Sequence, residues 1–172
     1  MDSDLIRRAQ DGDEQALAEL LKKHYSFIVK YVWKMSGNEQ LAYDVTQDAL
    51  IKAIQKINQF NHRSKFSTWL IQIATRTYLD YKRKQKKKKE LDEKLRKEFP
   101  HSPVSFPSDW HEVQEALWKL EDEHRIPLVL KHYYGYDYKD IAKMTKVKVG
   151  TVKSRVHYGL VNLRKELRTD DR

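Results

Sequence analysis

Residues 137–167, DYKDIAKMTKVKVGTVKSRVHYGLVNLRKEL, decide how the chain is read. Asp137 can cap a helix over 138–144, and Asp140 at its third position complements the positive helix end. Ile141 and Ala142 face inward, and the small Ala142 allows a second helix to cross close by. Residues 145–148 form the turn. A long helix then spans 149–167. At about 100° per residue, Val149, Val152, Val156, Leu160, Leu163 and Leu167 share roughly a quarter of its circumference. Opposite them lie Thr151, Ser154, Tyr158 and Lys165, with Arg155 and His157 on the flanks. Such a face offers hydrogen-bonding and cationic groups near the helix start. A recognition helix needs them there, to touch base edges in the major groove while neighbouring cations hold phosphates. The competing reading is a basic amphipathic helix that merely closes a small bundle.

Working outward, the net charge of +9 is unevenly placed along the 172 residues. Residues 1–60 carry −1, residues 76–97 carry +7, residues 98–138 carry −5, and residues 139–168 carry +7 again. Dense cationic blocks suit polyphosphate partners, because neutralised phosphates release condensed counterions. There is no cysteine, which removes disulfides and thiolate chemistry. The seven histidines show no paired spacing, and no Gly-rich phosphate loop or nucleophile elbow occurs. No enzyme activity, metal or cofactor is expected. The polar, acidic start and the short apolar runs predict a soluble cytoplasmic protein without membrane insertion.

Upstream, Ala9, Leu17, Leu20, Leu21, Phe27, Ile28, Tyr31 and Val32 recur at helical steps, predicting two helices broken at Asp11-Gly12-Asp13. Gly37-Asn38 ends the second. A third helix is predicted over 39–57, with Leu41, Val45, Ala49, Ile54 and Ile57 on its apolar side. A polar loop, 58–65, carries one aromatic residue, Phe60. A fourth helix begins after Ser64 and continues to about Lys84, with Phe66, Trp69, Leu70, Ile73 and Thr77 on one stripe. Pro100, Pro103 and Pro107, together with the lysine run, predict a linker over 86–109. Beyond it, Val113, Ala116, Leu117 and Leu120 mark one helix, and Ile126, Val129, Leu130 and Tyr133 another. The expected fold is all-α: two small four-helix domains, 1–85 and 110–170, joined by that linker.

Four stretches resemble the extracytoplasmic-function (ECF) class of bacterial sigma factors. LIRRAQDGDEQALAELLKKHY resembles the opening helix pair of the promoter-melting domain. AYDVTQDALIKAI is similar to the helix that docks on the β′ clamp of RNA polymerase. KFSTWLIQIATRTYLDYKRK resembles the segment that opens and reads the −10 element, and residues 136–167 resemble the −35-reading helix-turn-helix. The resemblance implies that Asp44, Gln47 and Asp48 contact core polymerase. It implies that Phe60, Asn61 and Lys65 hold a flipped base, through stacking and cationic contacts. By the same resemblance, Arg76, Asp80, Lys82, Arg83 and Lys84 would line the −10 surface, and Thr151, Lys153, Ser154, Arg155, His157 and Tyr158 would face the −35 element. The resemblance further implies that the second domain docks on the polymerase β flap and that an anti-sigma factor controls the whole.

Four residues, at three places, depart from the family pattern. Thr75-Arg76 stands where Arg-Asn is common before the aspartate of the −10 helix. Lys146 occupies a turn position that usually holds glycine, where left-handed geometry costs a lysine roughly 1–2 kcal/mol. Tyr158 replaces a common arginine, so bidentate guanine reading is lost there. Two other readings stay open: a conventional dimeric helix-turn-helix regulator, and a helical adaptor that binds RNA through its lysine run.

Overall fold

The computed structural model describes residues 2–89 and 111–169, which form eight α-helices and one 3-10 turn. The chain divides into two compact units, the first through residue 95 and the second from residue 96.

In the first unit, α1 (Asp2–Gln10) ends where Gly12 takes φ +94°, a left-handed conformation that suits glycine. Asp13 then caps α2 (Glu14–Ser36), its carboxylate accepting the Ala16 N–H at 3.0 Å. Gly37 closes α2 at φ +64°, its N–H donating to the Trp33 carbonyl. Asn38 immediately caps α3 (Glu39–Lys56) through the Leu41 N–H at 2.9 Å. This short link folds α3 back onto α2, and α3 also packs on α4 (Phe66–Lys89). Small buried residues on α3 (Ala42, Ala49, Ala53) permit close packing around Val45. The core is completed by Leu20, Ile28, Val32 and Met35 from α2 and by Leu70, Ile71, Ala74 and Tyr78 from α4.

Two boundaries differ from the sequence reading. The third helix ends at Lys56 in a 3-10 turn, Ile57–Gln59. The fourth runs to Lys89, so Lys86 to Lys89 belong to a helix rather than to the start of a linker. Lysine is a good helix former, and this run contains neither glycine nor proline to stop it. The remainder of the expected linker, 90–109, lies outside the described residues. Ile54, expected on the core side of α3, is instead 44% exposed. At about 100° per residue it stands opposite Val45.

The second unit comprises α5 (His111–Lys119), α6 (Asp122–His132), α7 (Tyr138–Thr145) and α8 (Val149–Thr169). Buried Arg125 joins the first two: its guanidinium donates to the Trp118 and Leu120 carbonyls at 3.1 and 2.6 Å and pairs with Asp122. It thereby satisfies C-terminal carbonyls that α5 cannot pair internally. Ile126, Leu130, Ile141, Met144, Val152 and Val156 form the core. The α6–α8 contact is close at Gly159, where an added Cβ would lie 3.1 Å from the His124 carbonyl oxygen.

Candidate nucleic-acid interface

The helix-turn-helix is built as its residue types demand. Asp137 Oδ1 accepts the Asp140 N–H at 2.7 Å, starting α7. Lys146 ends it in the left-handed region, φ +57°, with its N–H bonded to the Ala142 carbonyl. Val147 donates to the same carbonyl at 3.2 Å. The tight turn thus rests on a strained lysine whose N–H, like that of Val147 after it, is taken up by the Ala142 carbonyl.

Val152 and Val156 anchor α8 inside. Lys153, Ser154, His157 and Tyr158 are exposed, Tyr158 by 57%, and Thr151 is half-buried beside them. The Ser154 hydroxyl donates to the Thr151 carbonyl at 2.9 Å. His157 and Tyr158 form an edge-to-face pair with centroids 5.6 Å apart. Lys131 and Lys153 both lie over the Tyr138 ring, at 4.7 and 5.8 Å. Five of the six expected residues on this helix therefore share an accessible face. Arg155 is the exception: its guanidinium turns to α6 and donates to Glu123 Oε2 at 2.9 Å, so it braces the helix against its scaffold.

In the first unit, Asn61 and Lys65 are exposed on the 58–65 loop, and the Asn61 side chain accepts the Arg63 N–H at 3.2 Å. Phe60 requires a correction. Expected as a surface stacking platform, it is 4% exposed, its ring packed 5.5 Å from Phe66 and 5.4 Å from Trp69. It forms the floor beneath the loop, because an unpartnered aromatic ring gains more from this cluster than from water. His62 above it takes φ +58°, a left-handed geometry in which histidine is enriched.

On α4, Arg76, Asp80, Arg83 and Lys84 fall within an arc of about 100°, whereas Lys82, expected with them, stands nearly opposite on the helix. Asp80 and Arg83 pair at 3.5 Å. Thr75, one of the family departures, is buried and bonded to the Tyr31 hydroxyl and, at 2.7 Å, to the Ile71 carbonyl. A small hydroxyl here seals the core where a long cation would have to leave it.

Asp44, Gln47 and Asp48 are exposed on α3, with Gln40 donating to Asp44 at 2.7 Å. Two residues that the sequence reading missed extend this face: Ile51, 53% exposed, and Ile54. All five share an arc of about 120°. Their helical spacing was the available signal, obscured because isoleucine is usually assigned inward.

Comparison with known proteins fits both units. Sigma-70 region 2 matches residues 20–88 and Sigma-70, region 4 matches residues 110–163. Over 177 aligned residues the chain is 32% identical to the ECF RNA polymerase sigma factor SigW of Bacillus subtilis, covering 95% of each protein. The chain belongs to the ECF sigma factors. As an ECF sigma factor of the sigma-70 family, it directs RNA polymerase to promoters and initiates transcription. It is also 29% identical to the RNA polymerase sigma-H factor of Pseudomonas aeruginosa, over 90% of this chain and 88% of that one. Among solved structures, the sigma factor RpoE from Bartonella quintana, crystallised with the anti-sigma factor NepR, aligns with a TM-score of 0.69 at 25% identity. That alignment covers 89% of this chain and 97% of RpoE. In this sigma factor the region 4 match takes in α7, the turn and α8 as far as residue 163, whereas α1 precedes the region 2 match. Among the described residues, no helix is long and apolar enough to cross a membrane.

Proposed function

We propose that the first unit, as region 2, binds core polymerase and captures unpaired −10 bases, while the second, as region 4, docks on the β flap and reads the −35 element. In this reading the domains are 1–89 and 110–170, with 90–109 as the linker, and the protein works in the cytoplasm beside its polymerase. Asp44, Gln47, Asp48, Ile51 and Ile54 meet the β′ clamp helices. Asn61 and Lys65 hold a flipped base. Arg76, Asp80, Arg83 and Lys84 line the −10 surface. Thr151, Lys153, Ser154, His157 and Tyr158 face the −35 bases and phosphates. By analogy with RpoE, an anti-sigma factor sequesters the protein until a signal arrives.

The observation that carries this reading is the accessible polar and aromatic face on α8, 57% exposed at Tyr158, above a fully buried valine anchor. Solvent-facing aromatic and cationic groups along the first half of the second helix are placed for the major groove. Run-off transcription tests the proposal: core enzyme plus this protein initiates at promoters selected from a broad library. Failure to start anywhere, together with tight duplex binding in gel shifts without polymerase, would instead establish a conventional dimeric regulator.

A further inference from the structure

We infer that Gln10, the last residue of α1, is a positioning residue that holds the 58–65 loop in its base-capturing shape; this rests on the reading of that loop given above. One side-chain amide reaches two points of the loop and one in the turn that leads into it. Its Nε2 donates to the Ile57 carbonyl at 3.0 Å and to the Phe60 carbonyl at 2.8 Å, and its Oε1 lies 3.4 Å from His62 Nε2. These contacts cross 47, 50 and 52 positions of sequence, so they join elements that the chain itself does not hold together.

The points chosen are the ones that set the loop's path. Ile57 and Phe60 open and close the 3-10 turn, and both side chains are buried. The Ile57 carbonyl also accepts the Phe60 N–H at 3.1 Å. Next to them, His62 holds a positive φ and packs on Phe60, centroids 5.0 Å apart. Asn61, between the two fixed residues, is thereby presented to solvent.

The other end of α1 is fixed as well. Asp2 accepts from Lys23 and lies 3.2 Å from His24 Nε2, and the His24 ring packs edge-on against Phe66 at 5.3 Å. Phe66 in turn meets Phe60. Helix α1 is therefore a strut closed at both ends on the aromatic floor of the loop. A loop held in one shape keeps its contact groups in the geometry that fits one base, whereas a loop free to re-form could accommodate others, so the strut favours capture of one base.

The experiment uses the full chain with core polymerase and a randomised single-stranded oligonucleotide pool. The wild type first identifies the position of strongest base selectivity. Two variants follow: Gln10→Ala, which removes the amide, and Gln10→Glu, which keeps its shape but turns an acceptor towards two carbonyls. We expect amides of residues 59–63 to exchange on the order of tenfold faster with solvent, while α2 and α4 keep their protection. Selectivity at the captured base should fall by a similar factor, more for Glu than for Ala, with the salt dependence of binding unchanged in the uncharged alanine variant. Unaltered loop exchange overturns the strut. Faster exchange with full selectivity, or an equal loss of affinity for every base, overturns the positioning role. Absence of base selectivity in the wild type overturns the loop's assignment itself, before any variant is made.

Discussion

Arg155 of α8 donates to Glu123 in the first turn of α6 at 2.9 Å, tying the centre of the reading helix to the body of its unit. The guanidinium is 29% exposed and the carboxylate 54%, so the pair contributes about 0–1 kcal/mol to stability. Its larger effect is on charge, because Glu123 neutralises a cation beside the DNA-facing surface. Glu123→Ala should leave thermal unfolding nearly unchanged and steepen the salt dependence of promoter binding by up to about one counterion. An unchanged slope would show that Arg155 stays turned from phosphate without its partner.

Gly159 sets how closely α8 approaches α6. A Cβ there would lie 3.1 Å from the His124 carbonyl and 3.5 Å from Leu128 Cβ. Backbone cannot retreat as a flexible side chain can, so Gly159→Val should cost about 1–3 kcal/mol through overpacking. Gly159→Ala should cost less. Chemical denaturation of the full chain would resolve the two, and equal stability of the valine variant would contradict the close approach.

The Asp13 carboxyl is held below its ordinary pKa, first by the Ala16 N–H and next by Arg8, which reaches it at 2.6 Å. The folded state therefore binds this proton more weakly than the unfolded chain. The stabilisation is complete above the ordinary aspartate value of about 3.9 and fades as pH falls through the lower folded value. Asparagine caps helices as well as aspartate does, so Asp13→Asn isolates the charge. Thermal melting should show the variant less stable than wild type at pH 7, with the gap closing below about pH 4. A gap independent of pH would assign the effect to cap geometry alone.

Ile51 and Ile54 stand exposed beside Asp44, Gln47 and Asp48. Replacing both isoleucines with lysine should alter stability by no more than about 0.5 kcal/mol each, since neither fills the core. Co-purification with core polymerase should nevertheless be lost. Retained binding would remove this face from the docking surface.

Much of this architecture was legible in the residues. Helical periodicity located the eight helices of the described residues, Asp11-Gly12-Asp13 and Gly37-Asn38 marked breaks between them, and Asp137 marked a helix start as a cap. What escaped depends on three-dimensional choices that periodicity does not encode. Phe60 sits in a polar loop and reads as exposed, yet it folds under that loop because Phe66 and Trp69 rise to meet it. Ile54 reads as core but falls on the wrong side of α3. Arg155 lies within the reading helix, and a carboxylate 32 positions away decides its direction. Gln10 carries no local signal at all, because its partners are backbone carbonyls about fifty residues downstream.

The central claim is that the two units read separate promoter elements on one polymerase. Photo-crosslinking from Asn61 and from Tyr158, each replaced in turn by a photoreactive residue in the full chain, measures this directly. In complexes with core enzyme on a selected promoter, the account expects Asn61 cross-links at the unpaired −10 strand and Tyr158 cross-links upstream, in the −35 duplex. Cross-links from both positions at one element, or equal Tyr158 cross-linking without polymerase, would contradict it.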